Sequence, residues 1–201
     1  METAVSAMPP HKVALIFTGH MIDEPGRSAP RFPDVMEKRA AKAIREEVAA
    51  LRERSGGSLI GIASGARGGD ILFHEACKTL GVPTVLVLPF AVEPFLHRSV
   101  RGVPTGEWEA RFMALWARLP VQRRVVLDGE HDGDPFGACN RTMLSMARDL
   151  GETVQLLALW DGADAEKPGG TSAFAREVRA ADGMVVQIDT KPMLAELNSR
   201  A

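Results

Sequence analysis

Two glycine-rich segments have the residue types that bind anions through backbone amides. The first is SGARGGD, residues 64–70, and the second is PGGT, residues 168–171. Each follows an apolar run and precedes a segment of helical periodicity, so each is expected to place N–H groups at a helix N-terminus, where the helix dipole favours negative charge. The first loop alone also suits a tight turn in which Asp70 caps the helix. Two such loops together favour a ligand that carries phosphate.

Other polar residues follow apolar runs and could complete such a site. Arginine can hold phosphate through two hydrogen bonds, or it can be a solvated loop charge. Asp161 could contact ribose hydroxyls or start a turn, and the lone His20 is either a donor, a base or a structural hydrogen-bonding group. The expected ligand-binding residues are Thr18, Gly19, His20, Arg27, Arg31, Ser64, Gly65, Arg67, Gly68, Gly69, Asp70, Asp161, Gly169, Gly170 and Thr171.

Signals for covalent or metal chemistry are weak in this chain. The sequence has no GxSxG nucleophile elbow and no cysteine beside a histidine, and its histidines lack metal-ligand spacing. We therefore expect no metal and no resident cofactor. The acid/base candidates are His20, Glu75 and Glu177, with Asp70 as a further carboxylate.

Apolar β-rich runs alternate with amphipathic segments along the whole chain. VALIF, LIGIAS, PTVLVLPF, RRVVLD, TVQLLALWDG and MVVQI predict strands. A long helix is predicted over residues 34–54, with Val35, Ala40, Ile44, Val48 and Leu51 on its buried stripe. The order predicts an α/β fold, namely a Rossmann-like, doubly wound, mostly parallel sheet with helices on both faces. Ligands of such folds bind beyond the carboxyl ends of the strands.

Composition limits the class of protein. The chain has 201 residues, of which 45% are hydrophobic and 25% charged, and a net charge of −2. This predicts a single domain over residues 1–201, with residues 1–11 and 191–201 as flexible tails or, at the C-terminus, an edge appendage. Without a basic block, nucleic acid is not an expected partner. No signal peptide or membrane span is predicted, and two cysteines fit a reduced, cytoplasmic protein. A homodimer is compatible with the sequence.

The combined motifs resemble the SLOG superfamily. They are FTGHMIDEPGRSAPRFP, GIASGARGGDILFHEA, VLVLPF with EPFLHRSV, the later Trp108, Arg111 and Phe112, and LWDG with PGGTSAF. The chain is most similar to a bacterial branch found beside TPR repeats or nucleotide-cyclase modules. The superfamily is Rossmann-like and includes the LONELY GUY phosphoribohydrolases, the DNA-processing protein A domain and sensors of nucleotide-derived signals. The resemblance implies a nucleotide-type ligand across both glycine loops.

One departure from the superfamily concerns catalysis. The phosphoribohydrolases carry PGGxGTxxE, but the matching positions here hold Ala175 and Arg176, and Glu177 is turned by about 100° around the helix. We therefore expect a sensor or signalling domain that binds a nucleotide-type small molecule such as ADP-ribose, NAD or a nucleoside monophosphate. The alternative is a nucleotide N-glycosidase.

Two further functional classes, an interaction module and a dehydrogenase, predict other features of the sequence. An interaction module would show an exposed apolar face across residues 95–100 and 111–116. A dehydrogenase is disfavoured, because the chain lacks GxGxxG and no acidic residue ends the second strand.

Overall fold

A six-stranded parallel sheet forms the centre of the computed structural model, which describes residues 10–128, 133–163 and 169–199. The strands are β1 (His11–Gly19), β2 (Leu59–Ala63), β3 (Thr84–Leu88), β4 (Arg124–Val126), β5 (Gly151–Trp160) and β6 (Met184–Asp189). They lie in the order β4-β3-β2-β1-β5-β6, and every neighbouring pair is parallel. The predicted fold class is confirmed.

Helices cover both faces of the sheet. They are α1 (Glu37–Arg54), α2 (Gly69–Thr79), α3 (Val92–Phe95), α4 (Trp108–Arg118), α5 (Pro135–Leu150), α6 (Thr171–Ala180) and α7 (Thr190–Asn198). One core contains residues of α1, α2 and α4, with α7 packed against it, and the other contains residues of α5 and α6. The sheet is therefore the middle layer of three.

The central strands are apolar along their whole length because they are covered on both sides. In β2 all five residues are buried, with Ile60 and Ile62 facing α5 and α6, while Leu59 and Ala63 face the opposite core. Between them, Gly61 allows the Phe73 ring to pack on the strand, since a Cβ there would lie 2.9 Å from that ring. This close packing brings α2 onto the sheet.

The order in which strands are added to the sheet reverses at β1, between β2 and β5. After β1 the strands progress through β2 and β3 to one edge, whereas β5 returns to the other side of β1 and β6 extends the sheet from there. The helices that follow β1 and β5, namely α1 and α6, belong to opposite cores. A crevice therefore opens at the carboxyl ends of these two strands, as in other doubly wound folds.

Three predictions about where elements begin or end differ from the structure. Val35 lies in a 3₁₀ turn (Asp34–Met36) before α1 and is 63% exposed, because the tighter turn shifts the phase and buries Met36 instead. The segment from Thr190, expected to be a flexible tail or an edge appendage, forms α7. Arg39 donates to the Met193 carbonyl at 3.3 Å and pairs with Glu196, which ties α7 to α1. The first strand begins at His11, earlier than predicted.

Candidate functional site

A cleft of about 500 Å³ opens at the carboxyl ends of β1 and β5. Of the residues predicted from sequence, those that line it are Thr18, Gly19, His20, Arg31, Ser64, Asp70, Asp161, Gly169, Gly170 and Thr171. The predicted residues that do not line it are Arg27, Gly65, Arg67, Gly68, Gly69, Glu75 and Glu177. The position of the cleft follows from the strand order, but the roles within the two glycine loops differ from the prediction.

The second glycine loop presents the N-terminus of α6 to the cleft. Gly170 is the N-cap, its backbone is extended, and as a glycine it has no side chain with which to cap the helix. Gly169 has φ +72°, and a Cβ there would lie 2.7 Å from the Gly137 nitrogen, so the close packing requires glycine. Thr171 is the first helical residue, and its hydroxyl oxygen lies 3.5 Å from that of Thr18. The first-turn amides have no acceptor within the helix, which makes this end suitable for an anion. Pro168 lies outside the described residues.

The first glycine loop uses its glycines for packing instead. A Cβ at Gly65 would lie 2.7 Å from the Phe112 ring, and one at Gly68 would lie 2.7 Å from the Ile22 nitrogen. The Gly69 amide already donates to the His20 carbonyl at 3.2 Å. Gly68 and Gly69 therefore pack the loop against the chain after β1, while Gly65 makes room for the Phe112 ring of α4. The expectation that phosphates rest on the amides of both loops is not supported at this loop, where Ser64, Ala66 and Asp70 reach the cleft.

Asp70 is a buried carboxyl group in the wall of the cleft. It is the second residue of α2, and the cap position belongs to Gly68, which corrects the predicted role as N-cap. Its Oδ2 accepts a hydrogen bond from the Ala66 amide at 3.1 Å, and the residue is only 8% exposed. Burial raises the pKa of Asp70 to about 7, although the hydrogen bond from Ala66 opposes this. Asp70 can therefore donate or accept a proton near neutral pH.

His20 and Asp161 meet where β1 and β5 end. The Asp161 amide donates to Nε2 of His20 at 3.3 Å, and Oδ1 of Asp161 lies 3.4 Å from the same nitrogen. Burial and the charge of Arg31 lower the pKa of His20, against the opposing effect of Asp161. Burial would raise the pKa of Asp161, but the Ala163 amide and the charges of His20 and Arg31 bring it below its usual value. The pair is therefore a neutral imidazole beside a carboxylate.

The loop after β1 points one of its two arginines into the cleft. Asp23 closes this loop, because its Oδ2 accepts from the amides of Arg31 and Phe32 at 2.7 Å each. Arg31 lines the cleft, and its Nε is buried without a hydrogen-bond partner among the described residues. Arg27 lies outside the cleft, where its Nε donates to Ala29 O and approaches Asp23. Of these two arginines, only Arg31 is therefore placed to bind a ligand in this cleft.

Arg67 is a structural residue that holds three loops together. Its guanidinium donates to the carbonyls of Ile22 and Arg101 at 3.1 and 2.8 Å, and to Oε1 of Glu24 at 2.9 Å. It is 3% exposed and does not line the cleft. The predicted contact with phosphate is therefore replaced by a role in shaping the loops around the cleft.

The two glutamates proposed as acid/base groups also lie away from the cleft. Glu75 binds Arg111 through two hydrogen bonds, of 2.8 and 2.6 Å, on the side of α2 that faces α4. Glu177 lies on α6, with Oε2 buried and unpartnered among the described residues. Of the acid/base candidates, His20 and Asp70 reach the cleft.

Several residues that line the cleft were not among those predicted from the sequence. On α5 these are Phe136, Cys139, Asn140 and Met143, whose spacing of i, i+3, i+4 and i+7 places them on one helical face. The Asp134 cap and Pro135 mark where this helix starts, so the spacing was a usable signal. Arg98 enters from a π-helical turn (Leu96–Val100), which no pattern in the sequence predicts.

Apolar residues expected on an interaction face are buried instead. Phe95, Leu96, Val100, Phe112 and Leu115 all lie in the core, whereas Met113 is 44% exposed, so these segments do not present the continuous apolar face expected of an interaction module. Phe90 is also a core residue, while Trp160 lines the cleft and donates from Nε1 to Ala163 O.

Neither a metal centre nor a membrane helix is found in the described ranges. Within residues 10–128, 133–163 and 169–199, no three His, Cys, Asp or Glu side chains are grouped to hold a metal ion. No helix in those ranges is both long and apolar enough to cross a bilayer.

Comparisons with known proteins give one distant similarity. No family model matches the sequence, and no curated protein matches it. Among solved structures, the chain is similar to DNA processing protein A (DprA) from Streptococcus pneumoniae, at 15% identity and a TM-score of 0.40. The match covers 96% of this chain and spans 62% of the length of that one. Membership of the SLOG superfamily stays a prediction from the motifs.

Proposed function

We propose that the cleft between β1 and β5 binds a nucleotide or nucleotide-derived ligand and that the domain serves as a sensor or signalling module. The observation that carries the proposal is the N-terminus of α6, whose cap residue Gly170 has no side chain, in the same cleft as Arg31 and Arg98. Neither guanidinium pairs with a carboxylate of the described residues. A helix N-terminus and two arginines in one cleft favour an anionic ligand.

The remaining walls suit the other parts of a nucleotide. The hydroxyls of Thr18 and Thr171 lie at the N-terminus of α6 and can donate to phosphate oxygens. Asp161, at the end of β5, carries a carboxylate that can accept hydrogen bonds from ribose hydroxyls. A phosphate at α6 and a ribose near Asp161 would place the ligand across the switch point of the sheet.

A thermal-shift experiment tests this function. AMP, NAD and ADP-ribose at millimolar concentration are expected to raise the melting temperature of the full chain, because a ligand that binds only the native state stabilises it. Arg31→Ala should reduce that shift, whereas Arg27→Ala, in the same loop but outside the cleft, should leave it unchanged. The proposal fails if none of the three compounds raises the melting temperature of the unmodified chain.

A second candidate function is nucleotide N-glycosidase activity, favoured by the different protonation of two carboxyl groups in the cleft. Asp70 can hold a proton near pH 7, while Asp161 is ionised. Water would attack the anomeric carbon and the C–N bond would break; Asp161 would take the proton from water and Asp70 would give one to the base. Release of free adenine from AMP, lost in Asp70→Asn and kept in Glu75→Gln, would establish it. No adenine release by the unmodified chain would exclude it for this substrate.

A further inference from the structure

Phe136 is a partly exposed aromatic side chain in the wall of the cleft. It is 40% exposed, although residues of its type are normally buried, and it lies in the first turn of α5. The ring is held at its edge by Phe90, with centroids 5.7 Å apart and planes at 81°. Phe90 is in turn buried against Phe95. A supported aromatic ring is therefore presented to the cleft.

Arg98 extends this surface. Its guanidinium lies over the Phe90 ring at 5.1 Å from the centroid, so Phe90 supports both Arg98 and Phe136. Both side chains line the cleft. A phenyl ring and a planar guanidinium are the two kinds of group on which planar heterocycles stack.

The aromatic wall is joined to the anion-binding end. A Cβ built at Gly169 would lie 2.8 Å from Cβ of Phe136, so the backbone before α6 packs directly against this residue. One turn after Phe136, Asn140 donates from Nδ2 to the Gly169 carbonyl at 3.0 Å. A single ligand with a phosphate and a planar ring can therefore contact both parts.

We propose that Phe136, with Arg98, is the stacking platform for a nucleobase and makes the cleft selective for nucleoside phosphates over sugar phosphates. This inference rests on the proposed function, since it assigns the second half of the same ligand. Phe136 and Arg98 are specificity-determining residues rather than catalytic ones.

The test separates base from phosphate with three probes. AMP carries both, ribose 5-phosphate carries the phosphate alone, and adenosine carries the base alone. Affinities would be measured by calorimetry on the full chain for the unmodified protein, Phe136→Ala and Arg31→Ala. Met184→Ala is the matched control, because Met184 is exposed on β6 and does not line the cleft.

Phe136→Ala and Arg31→Ala are expected to weaken the binding of different probes. Phe136→Ala should weaken AMP and adenosine by roughly 5- to 100-fold, the usual range for loss of one stacked base, and should leave ribose 5-phosphate within about twofold. Arg31→Ala should weaken AMP and ribose 5-phosphate but not adenosine. Phe136→Trp should keep AMP affinity, and Arg98→Gln should weaken adenosine.

Three outcomes would overturn the inference in distinguishable ways. An equal loss of AMP and ribose 5-phosphate in Phe136→Ala would show that Phe136 only supports the loop before α6. Unchanged AMP and adenosine affinities would show that the base lies elsewhere. If the unmodified protein binds none of the three probes, this inference fails, and the proposed function fails with it when NAD and ADP-ribose also leave the melting temperature unchanged.

Discussion

Nε2 of His20 lies 3.4 Å from Oδ1 of Asp161, which joins the ends of two neighbouring strands across the switch point of the sheet. The backbone supports the same junction, because the His20 amide donates to the Leu159 carbonyl at 3.0 Å. Both side chains line the cleft. The protonation state of His20 is therefore coupled to the shape and charge of the candidate site.

The lowered pKa of His20 predicts a loss of stability in acid. The unfolded chain takes up a proton on this side chain near pH 6.5, while the native chain does not until a lower pH. The native state therefore loses stability as the pH falls below about 6.5. His20→Gln removes this contribution, so the melting temperature of the variant should fall less between pH 7 and pH 5 than that of the unmodified chain. Parallel pH profiles would contradict the prediction.

Asp70 predicts the opposite pH dependence. Its pKa is raised from 3.8 to about 7, so between these values the native chain keeps a proton that the unfolded chain releases. Stability from this group is present at low pH and is lost as the pH rises to about 7. Asp70→Asn keeps an oxygen for the Ala66 amide and cannot ionise. At pH 8 the variant should gain on the order of 3 kcal/mol in the free energy of unfolding.

Urea unfolding at pH 4 and pH 8 measures this difference. The gain should be much smaller at pH 4, where native Asp70 is protonated and the unfolded carboxyl group is only about half ionised. Asp161→Asn is the matched control, since the pKa of Asp161 is lowered and its replacement should not stabilise the protein at pH 8. A gain for Asp70→Asn of the same size at both pH values would contradict the assignment.

The fold and the location of the cleft were predictable because they depend on patterns that recur along the chain. Short apolar runs such as Leu59–Ala63 that alternate with amphipathic segments are typical of strands buried on both sides, and parallel strands place their following loops at one edge. The role of each glycine was not predictable. Gly65 and Gly169 look equivalent in sequence, but one makes room for Phe112 and the other borders the cleft. That difference depends on which distant side chain packs against each loop.

The arginines show the same limit. Arg27, Arg31 and Arg67 all lie in predicted ligand loops, but their contacts differ. Asp23 forms an ion pair with Arg27 and accepts a hydrogen bond from the Arg31 backbone amide. The Arg67 guanidinium donates to carbonyl groups that are distant in sequence. The helical spacing of Phe136 and Asn140 predicts that they share one face of α5. The sequence does not tell which face of α5 turns toward the strand ends, so the spacing alone could not assign them to the cleft.

Arg67→Ala should destabilise the protein strongly, whereas Arg27→Ala should not. Removal of the Arg67 guanidinium leaves the buried carbonyls of Ile22 and Arg101 without their donor and creates a cavity. A loss of about 3 kcal/mol is expected. Arg27 is partly exposed, and its replacement should cost less than about 0.5 kcal/mol. Denaturant titration of both variants checks the contrast, and equal losses would contradict the structural role of Arg67.

Gly68→Ala tests whether packing of the first glycine loop shapes the cleft. Gly68 has φ +90° and ψ −125°, a conformation almost restricted to glycine, and a new Cβ would lie 2.7 Å from Ile22 N and 3.1 Å from His20 O. Both atoms belong to backbone, so relief requires movement of the chain after β1. The variant should lose about 3 kcal/mol or more.

Gly81→Ala is the matched control, because Gly81 has φ +68° but no atom near its missing Cβ. It should lose only about 1–2 kcal/mol, the cost of a left-handed conformation. The two variants also differ in their expected effect on the site. The movement forced by Gly68→Ala displaces His20 from Asp161, so the pH-dependent contribution of His20 to stability should disappear in that variant and persist in Gly81→Ala. Melting temperatures of both variants from pH 5 to pH 7 measure this, and an intact His20 contribution in Gly68→Ala would show that the loop and the cleft are not coupled.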